Sequence, residues 1–188
     1  MRIQIFGGSG CGKSTLCADI YARLKQKHVS IEMVREGKIK DMAYKDEPPS
    51  THYGWASWHI FSEHLEREDF FLHKGCNIVT DCPGFLSYIY AHRHGFKHAG
   101  LILEAALAFD KEWPSVNLFI ERDDKHYQDE GRYQDLAEAK VIDGQIQSQL
   151  KFHNIKYKTF NVHEAKAMAT YLLWYLHRHE LGNSKRKE

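Results

Sequence analysis

Residues 7–14 read GGSGCGKS, between the apolar run RIQIF (2–6) and the helix-patterned KSTLCADIYARLKQKH (13–28). The spacing satisfies G-x-x-x-x-G-K-[ST] in full, and it falls in a turn from strand to helix, where its mechanism requires it. Glycines let successive backbone N–H groups converge on phosphate oxygens, and the helix start adds the positive end of its dipole. Gly8, Ser9, Gly10, Cys11, Gly12, Lys13, Ser14 and Thr15 are therefore the candidates for holding a nucleotide such as ATP. Lys13 is placed to reach the β- and γ-phosphates and Ser14 to ligate Mg²⁺.

Outward from this loop, strand-like and helix-like segments alternate. VSIEMV (29–34), CNIVTD (76–81), SVNLFIE (115–121) and IKYKTFNV (155–162) are rich in β-branched and aromatic residues. Between them lie helical stretches, among them WASWHIFSEHLEREDFFLHKG, which puts Trp58, Phe61, Leu65 and Phe70–Leu72 toward one side. Such alternation predicts an α/β fold with a parallel sheet and right-handed crossovers, its ligands gathered at the carboxyl ends of the strands. Residues 1–180 read as one domain, with a charged lid at about 122–135 and a flexible basic tail at 181–188.

Composition narrows the class further. The 188 residues are 43% hydrophobic and 27% charged, an ordinary globular mixture, and 26 Lys and Arg stand against 25 Asp and Glu, so any basic groove has to be local. Cys11, Cys17, Cys76 and Cys82 read as free thiols of a reducing compartment. With no apolar run of about 20 residues and no leader pattern, the expectation is a cytoplasmic chain with no membrane partner. The histidines of HRHGFKH (His92, His94, His98) lack the spacing of a metal-binding helix or finger.

The ends of the strands carry the remaining chemistry. Asp81 closes the third strand beside the phosphate loop, suited to the Mg²⁺ side or to use as a base, although Asp also favours turns before proline. Glu32, Arg35 and Glu36 fall in IEMVRE: a carboxylate there could take an acceptor's proton and Arg35 could hold an anionic or planar group, while a surface ion pair is the plain alternative. After the fourth strand, Arg122, Lys125 and Arg132 could neutralise charge on a transferred phosphoryl group. Arg132 is preferred because Gly131 precedes it. Tyr53 and Trp55, next to the Pro-Pro loop, are candidate stacking surfaces for an acceptor base.

Three stretches, IFGGSGCGKSTL, EMVRE and YQDEGRYQD, together with IVTDCP, resemble the ribosylnicotinamide-kinase-like branch of small P-loop ATPases and kinases, which also occurs in bacteriophage genomes. The resemblance implies a P-loop three-layer sandwich with a five-stranded parallel sheet in the nucleotide-kinase order 2-3-1-4-5. It also implies Lys13 and Ser14 on phosphate and Mg²⁺, Glu32 and Arg35 toward the acceptor, Asp81 toward the metal and Arg132 in the lid. THYGWASWHIFSEH stands where that group has an aspartate-rich acceptor pocket.

The expected activity is therefore transfer of the γ-phosphoryl group of ATP to a hydroxyl or phosphate of a nucleoside- or nucleotide-like acceptor. One alternative carries the acceptor within DNA, as a hydroxymethylated base or an end. Another is an ATPase or switch with no small acceptor, disfavoured because no N-K-x-D guanine reader follows strand four and no Glu follows Asp81.

Overall fold

The computed structural model describes residues 1–35, 54–127 and 133–184. Five strands, β1 (Arg2–Phe6), β2 (Ile31–Val34), β3 (Asn77–Thr80), β4 (Ser115–Glu121) and β5 (Lys158–Asn161), form one sheet. Its order is β2-β3-β1-β4-β5 and every pairing is parallel, as expected. The six described helices are α1 (Lys13–Gln26), α2 (Trp55–His73), α3 (Gly84–Arg93), α4 (Ala99–Glu112), α5 (Leu136–Phe152) and α6 (Ala165–Ser184).

Alternation along β1 decides what each face of the sheet meets. Ile3 and Ile5 point into a core shared with Leu16, Ile20 and Leu24 of α1 and Met168 and Leu172 of α6. Phe6 points the other way, against Phe61 of α2, Phe85 of α3, Ile102 of α4 and Ile142 and Ile146 of α5. Two helices cover one face and four the other, giving three layers.

Strands β2 and β5 are shorter than their β-branched runs suggest, for one reason. In the connection before each, a residue adopts a left-handed backbone, His28 (φ 61°) and Asn154 (φ 56°). The next residue then donates its N–H back to the ending helix, Val29 to the Leu24 carbonyl at 3.1 Å and Ile155 to the Leu150 carbonyl at 2.9 Å. Val29 and Ile155 therefore close helices. At the other end of β5, Asn161 and Glu164 form a reciprocal capping box, so α6 begins after a 3-10 turn. It continues through Ser184, beyond the boundary expected at 180.

The buried stripe of α2 also differs from its apolar pattern. Phe61, His64, Glu68 and Leu72 face inward, while Phe70 is 58% exposed. The reason lies on β1, whose Arg2 and Gln4 are buried on that same face. Arg2 directs Nε and Nη2 to Glu68 Oε2, each at 2.8 Å, pairs through Nη1 with Asp110, and reaches the Trp113 carbonyl at 3.1 Å. Gln4 donates to Asp110 Oδ1 at 2.9 Å. The chain of polar groups continues through His64, 3.2 Å from Glu68 Oε1 and 2.9 Å from Thr80 Oγ1. A buried guanidinium requires such partners, and they occupy the positions an all-apolar stripe would have used. No described helix is long and apolar enough to cross a membrane.

Candidate nucleotide-binding site

The loop between β1 and α1 has the backbone its motif calls for. Gly12 has φ +91° immediately ahead of α1, and a Cβ built on it would lie 2.6 Å from Val162 Cγ2, just past β5. No side chain fits there in that conformation. Gly12→Ala is accordingly expected to cost about 1–3 kcal/mol of stability and to remove ATP-dependent stabilisation, read by thermal unfolding with and without ATP. An unchanged response to ATP would show that the loop tolerates the distortion. Cys11 is buried, its Sγ against Gly7, so only its backbone is available to a ligand.

Lys13 lies across the loop, its Nζ donating to the Gly8 carbonyl at 2.7 Å. Ser14 and Thr15 are exposed on the first turn of α1. These features fit a bound triphosphate: a glycine cradle without room for a Cβ, an ammonium held on the loop itself, and exposed hydroxyls at a helix start.

Asp81 and Arg35 arrive together. Val34 pairs with Thr80 in register, so Arg35 and Asp81 leave neighbouring strands at the same level. Asp81 is 3% exposed and Arg35 is at the surface. Both act on Cys17, one turn after Ser14 on α1: burial pushes its thiol pKa well up, the Asp81 charge adds to that, and Arg35 opposes it. A thiol held neutral in this way is a poor nucleophile and marks a packing residue.

Glu32 does not join them. Its partner in register is Ile78, which also pairs with Arg2, so it stands five residues short of Gly7, about 16 Å at 3.3 Å per residue. There its Oε1 accepts a hydrogen bond from Lys25 Nζ at 2.9 Å near the end of α1, a contact that holds the lysine pKa up. The plain reading as a surface ion pair describes this contact. Glu36, Tyr53 and Arg132 lie outside the described residues, as does 128–132 of the expected lid.

Trp55 stands at the start of α2. Because α2 runs antiparallel to the strands and His64 is level with Thr80, Trp55 projects about 13 Å beyond that level, at 1.5 Å per helical residue. Its ring is 63% exposed and stacks on His98 at 5.4 Å, with Phe96 edge-on at 5.5 Å. His98 and Phe96, in the α3–α4 connection, thus extend this wall. His92 and His94 instead face Tyr88 and Tyr90.

Two further residues touch the loop. Asp143 of α5 accepts the Gly8 N–H through Oδ1 at 2.5 Å and the Arg122 Nε–H through Oδ2 at 2.7 Å. A signal for Asp143 exists in the sequence: it lies on the stripe Ala139, Ile142, Ile146, Leu150 that α5 buries, where an acid needs a partner. Across the base of the expected lid, Tyr127 Oη donates to the Gln134 carbonyl at 2.5 Å.

A parallel sheet with this order and a glycine loop of this form between β1 and α1 define a P-loop nucleotide-binding domain. A family model described as an AAA domain matches residues 2–166, and the chain belongs to that P-loop NTPase family. No curated protein sequence matches it.

Proposed function

We propose that this domain is a kinase that moves the γ-phosphoryl group of ATP to a hydroxyl or phosphate of a nucleoside- or nucleotide-like acceptor. The observation that carries the reading is the direct pairing of β3 with β1, which sets Asp81 beside α1 with Arg35, the residue after β2, at the same level. An acid on the nucleotide side and a cation on the next strand out, below the Trp55–His98 wall, suit a second substrate opposite the triphosphate. Asp81 is followed by Cys82, so the neighbouring residue supplies no carboxylate to activate water for simple hydrolysis. The sheet order is also the one implied by the ribosylnicotinamide-kinase-like resemblance.

Ser14 and Asp81 are the groups to hold Mg²⁺. The ion, when bound, neutralises charge developing between the β- and γ-phosphates. Lys13 exchanges the Gly8 carbonyl for phosphate oxygens, and the loop N–H groups hold the triphosphate in line with the acceptor. Arg35 binds an anionic or planar part of that acceptor, with Trp55 stacking on its base. Most of the acceleration comes from positioning and from preorganised positive charge.

A second reading places the acceptor within DNA. Its support is a cationic, aromatic face on edge strand β5 and α6, where Lys158 lies 4.2 Å from the Tyr171 ring centroid and Arg178 lies 4.7 Å from that of Trp174.

The test is incubation with Mg²⁺ and γ-labelled ATP against nucleosides, nucleoside monophosphates, ribosylnicotinamide and duplex DNA containing hydroxymethylated pyrimidine. Label on one acceptor, absent with Lys13→Ala, establishes the kinase and its substrate. Free phosphate alone, at a rate no acceptor raises, replaces the proposal with an ATPase or switch.

A further inference from the structure

We propose that Asp143 and Arg122 are positioning residues for the phosphate loop, coupling the start of the connection after β4 to Gly8, the residue whose carbonyl Lys13 leaves when it engages a nucleotide. The inference rests on nucleotide binding by the loop and holds for a kinase or an ATPase alike.

Gly8 is gripped from both sides. Its carbonyl accepts Lys13 Nζ at 2.7 Å, and its N–H donates to Asp143 Oδ1 at 2.5 Å. The second oxygen of Asp143 is occupied by Arg122 Nε at 2.7 Å. Four residues from three parts of the chain thus form one line, Lys13–Gly8–Asp143–Arg122. Room for it depends on Gly8 having no side chain, because a Cβ there would sit 2.6 Å from Asp143 Oδ1, 3.0 Å from the Ala139 carbonyl oxygen and 3.1 Å from Arg122 Nη2.

Arg122 is in an expensive position for a merely structural residue. Its side chain is 4% exposed, yet Nη1 and Nη2 have no hydrogen-bond acceptor among the described residues. Among the described residues its five donors meet one carboxylate, which is a poor way to stabilise a fold. A desolvated ion pair does fix geometry well, because displacing either partner strands a buried charge. The Arg122 guanidinium also lies 5.5 Å from the Tyr127 ring centroid, and Tyr127 is tied to Gln134 across the base of the 128–132 connection. The described start of that connection, 122–127, is thus joined through Arg122 and Asp143 to the residue whose carbonyl holds Lys13.

The experiment compares ATP binding by titration calorimetry with thermal unfolding for the native chain, Asp143→Asn, Arg122→Lys and the double variant Arg122→Met with Asp143→Asn. Asparagine keeps an oxygen for the Gly8 N–H but removes the charge that holds Arg122, and methionine fills the guanidinium's space without a charge. The expected result is ATP affinity weakened about tenfold or more in both single variants. In the double variant the thermal midpoint returns to within a few degrees of native, while the ATP affinity stays low. A double variant that regains both, or single variants that lose thermal midpoint with native ATP affinity, overturns the proposal and leaves the pair purely structural. If the variants do not fold, hydrogen exchange on the native chain decides: protection of the Gly8 amide without nucleotide, altered by ATP, supports the line, and exchange at the rate of an exposed amide overturns it. A native chain that fails to bind ATP overturns the nucleotide reading itself, and this inference with it.

Discussion

Lys13→Ala is expected to lower nucleotide-dependent turnover by about 10²–10³-fold, the usual loss when one preorganised charge stabiliser is removed, while leaving the fold intact. The two effects separate because of where Lys13 sits. Its side chain is only partly buried, and its one described hydrogen bond goes to a carbonyl of its own loop, so no core contact is lost. The thermal midpoint without nucleotide should therefore stay within a few degrees of native, and the rise produced by ATP should vanish. Lys13→Arg is no rescue, because the planar fork does not fit where a compact ammonium on a flexible stem is needed. Initial rates and thermal shifts measured side by side check this. Activity within threefold of native would mean that catalysis does not pass through this loop.

Glu68→Ala is expected to have the largest effect on stability. Glu68 is fully buried and holds two nitrogens of Arg2, itself 1% exposed. Removing the carboxylate strands the guanidinium charge between α2 and α4, a change that typically costs about 3–5 kcal/mol and should lower the thermal midpoint by roughly 10 °C in a chain of this size. Asp110 remains on Arg2 and places the loss toward the lower end. Replacing both partners, Arg2→Met with Glu68→Leu, should recover most of the stability; a single variant losing less than about 1 kcal/mol in urea unfolding contradicts this account.

The same pair gives a pH dependence. Burial pushes the Glu68 carboxyl up, but His64 and the Arg2 charge outweigh it and hold its pKa below the ordinary 4.5. A carboxylate pKa lowered in the folded state stabilises the protein fully above the unfolded value, and that contribution fades as pH falls through the folded one. Native protein should therefore lose stability progressively below about pH 4.5, and the double variant should lose less over the same interval, read from urea midpoints between pH 3 and 6.

How far the site was legible follows from how local each requirement is. Lys13, Ser14 and the loop glycines are bound together by eight consecutive residues, and Asp81 by its place after a buried strand, so each could be located without knowing what packs on it. Glu32 has the residue type of a strand-end acid, but its position depends on how many residues of VSIEMV enter the sheet. The left-handed turn at His28 and the pairing of Glu32 with Ile78 set it level with Arg2, far from the loop. Trp55 was readable as an aromatic near a loop, whereas its partner His98 comes from a segment more than 40 residues later, which only packing brings near.

The sequence by itself determined the class of fold, the phosphate loop and the strand that Asp81 follows, because hydrophobic period and turn chemistry act over a few neighbouring residues. Tertiary structure alone decided which polar residues would be buried and against what. Arg2 and Gln4 face inward because β1 is central in the sheet, and that drew His64 and Glu68 onto the inner stripe of α2. Asp143 and Arg122, 21 residues apart, meet at Gly8, more than 100 residues before them, because α5 crosses beside the loop. A buried charge must find a partner wherever the folded chain provides one, and that partner is fixed by proximity in space.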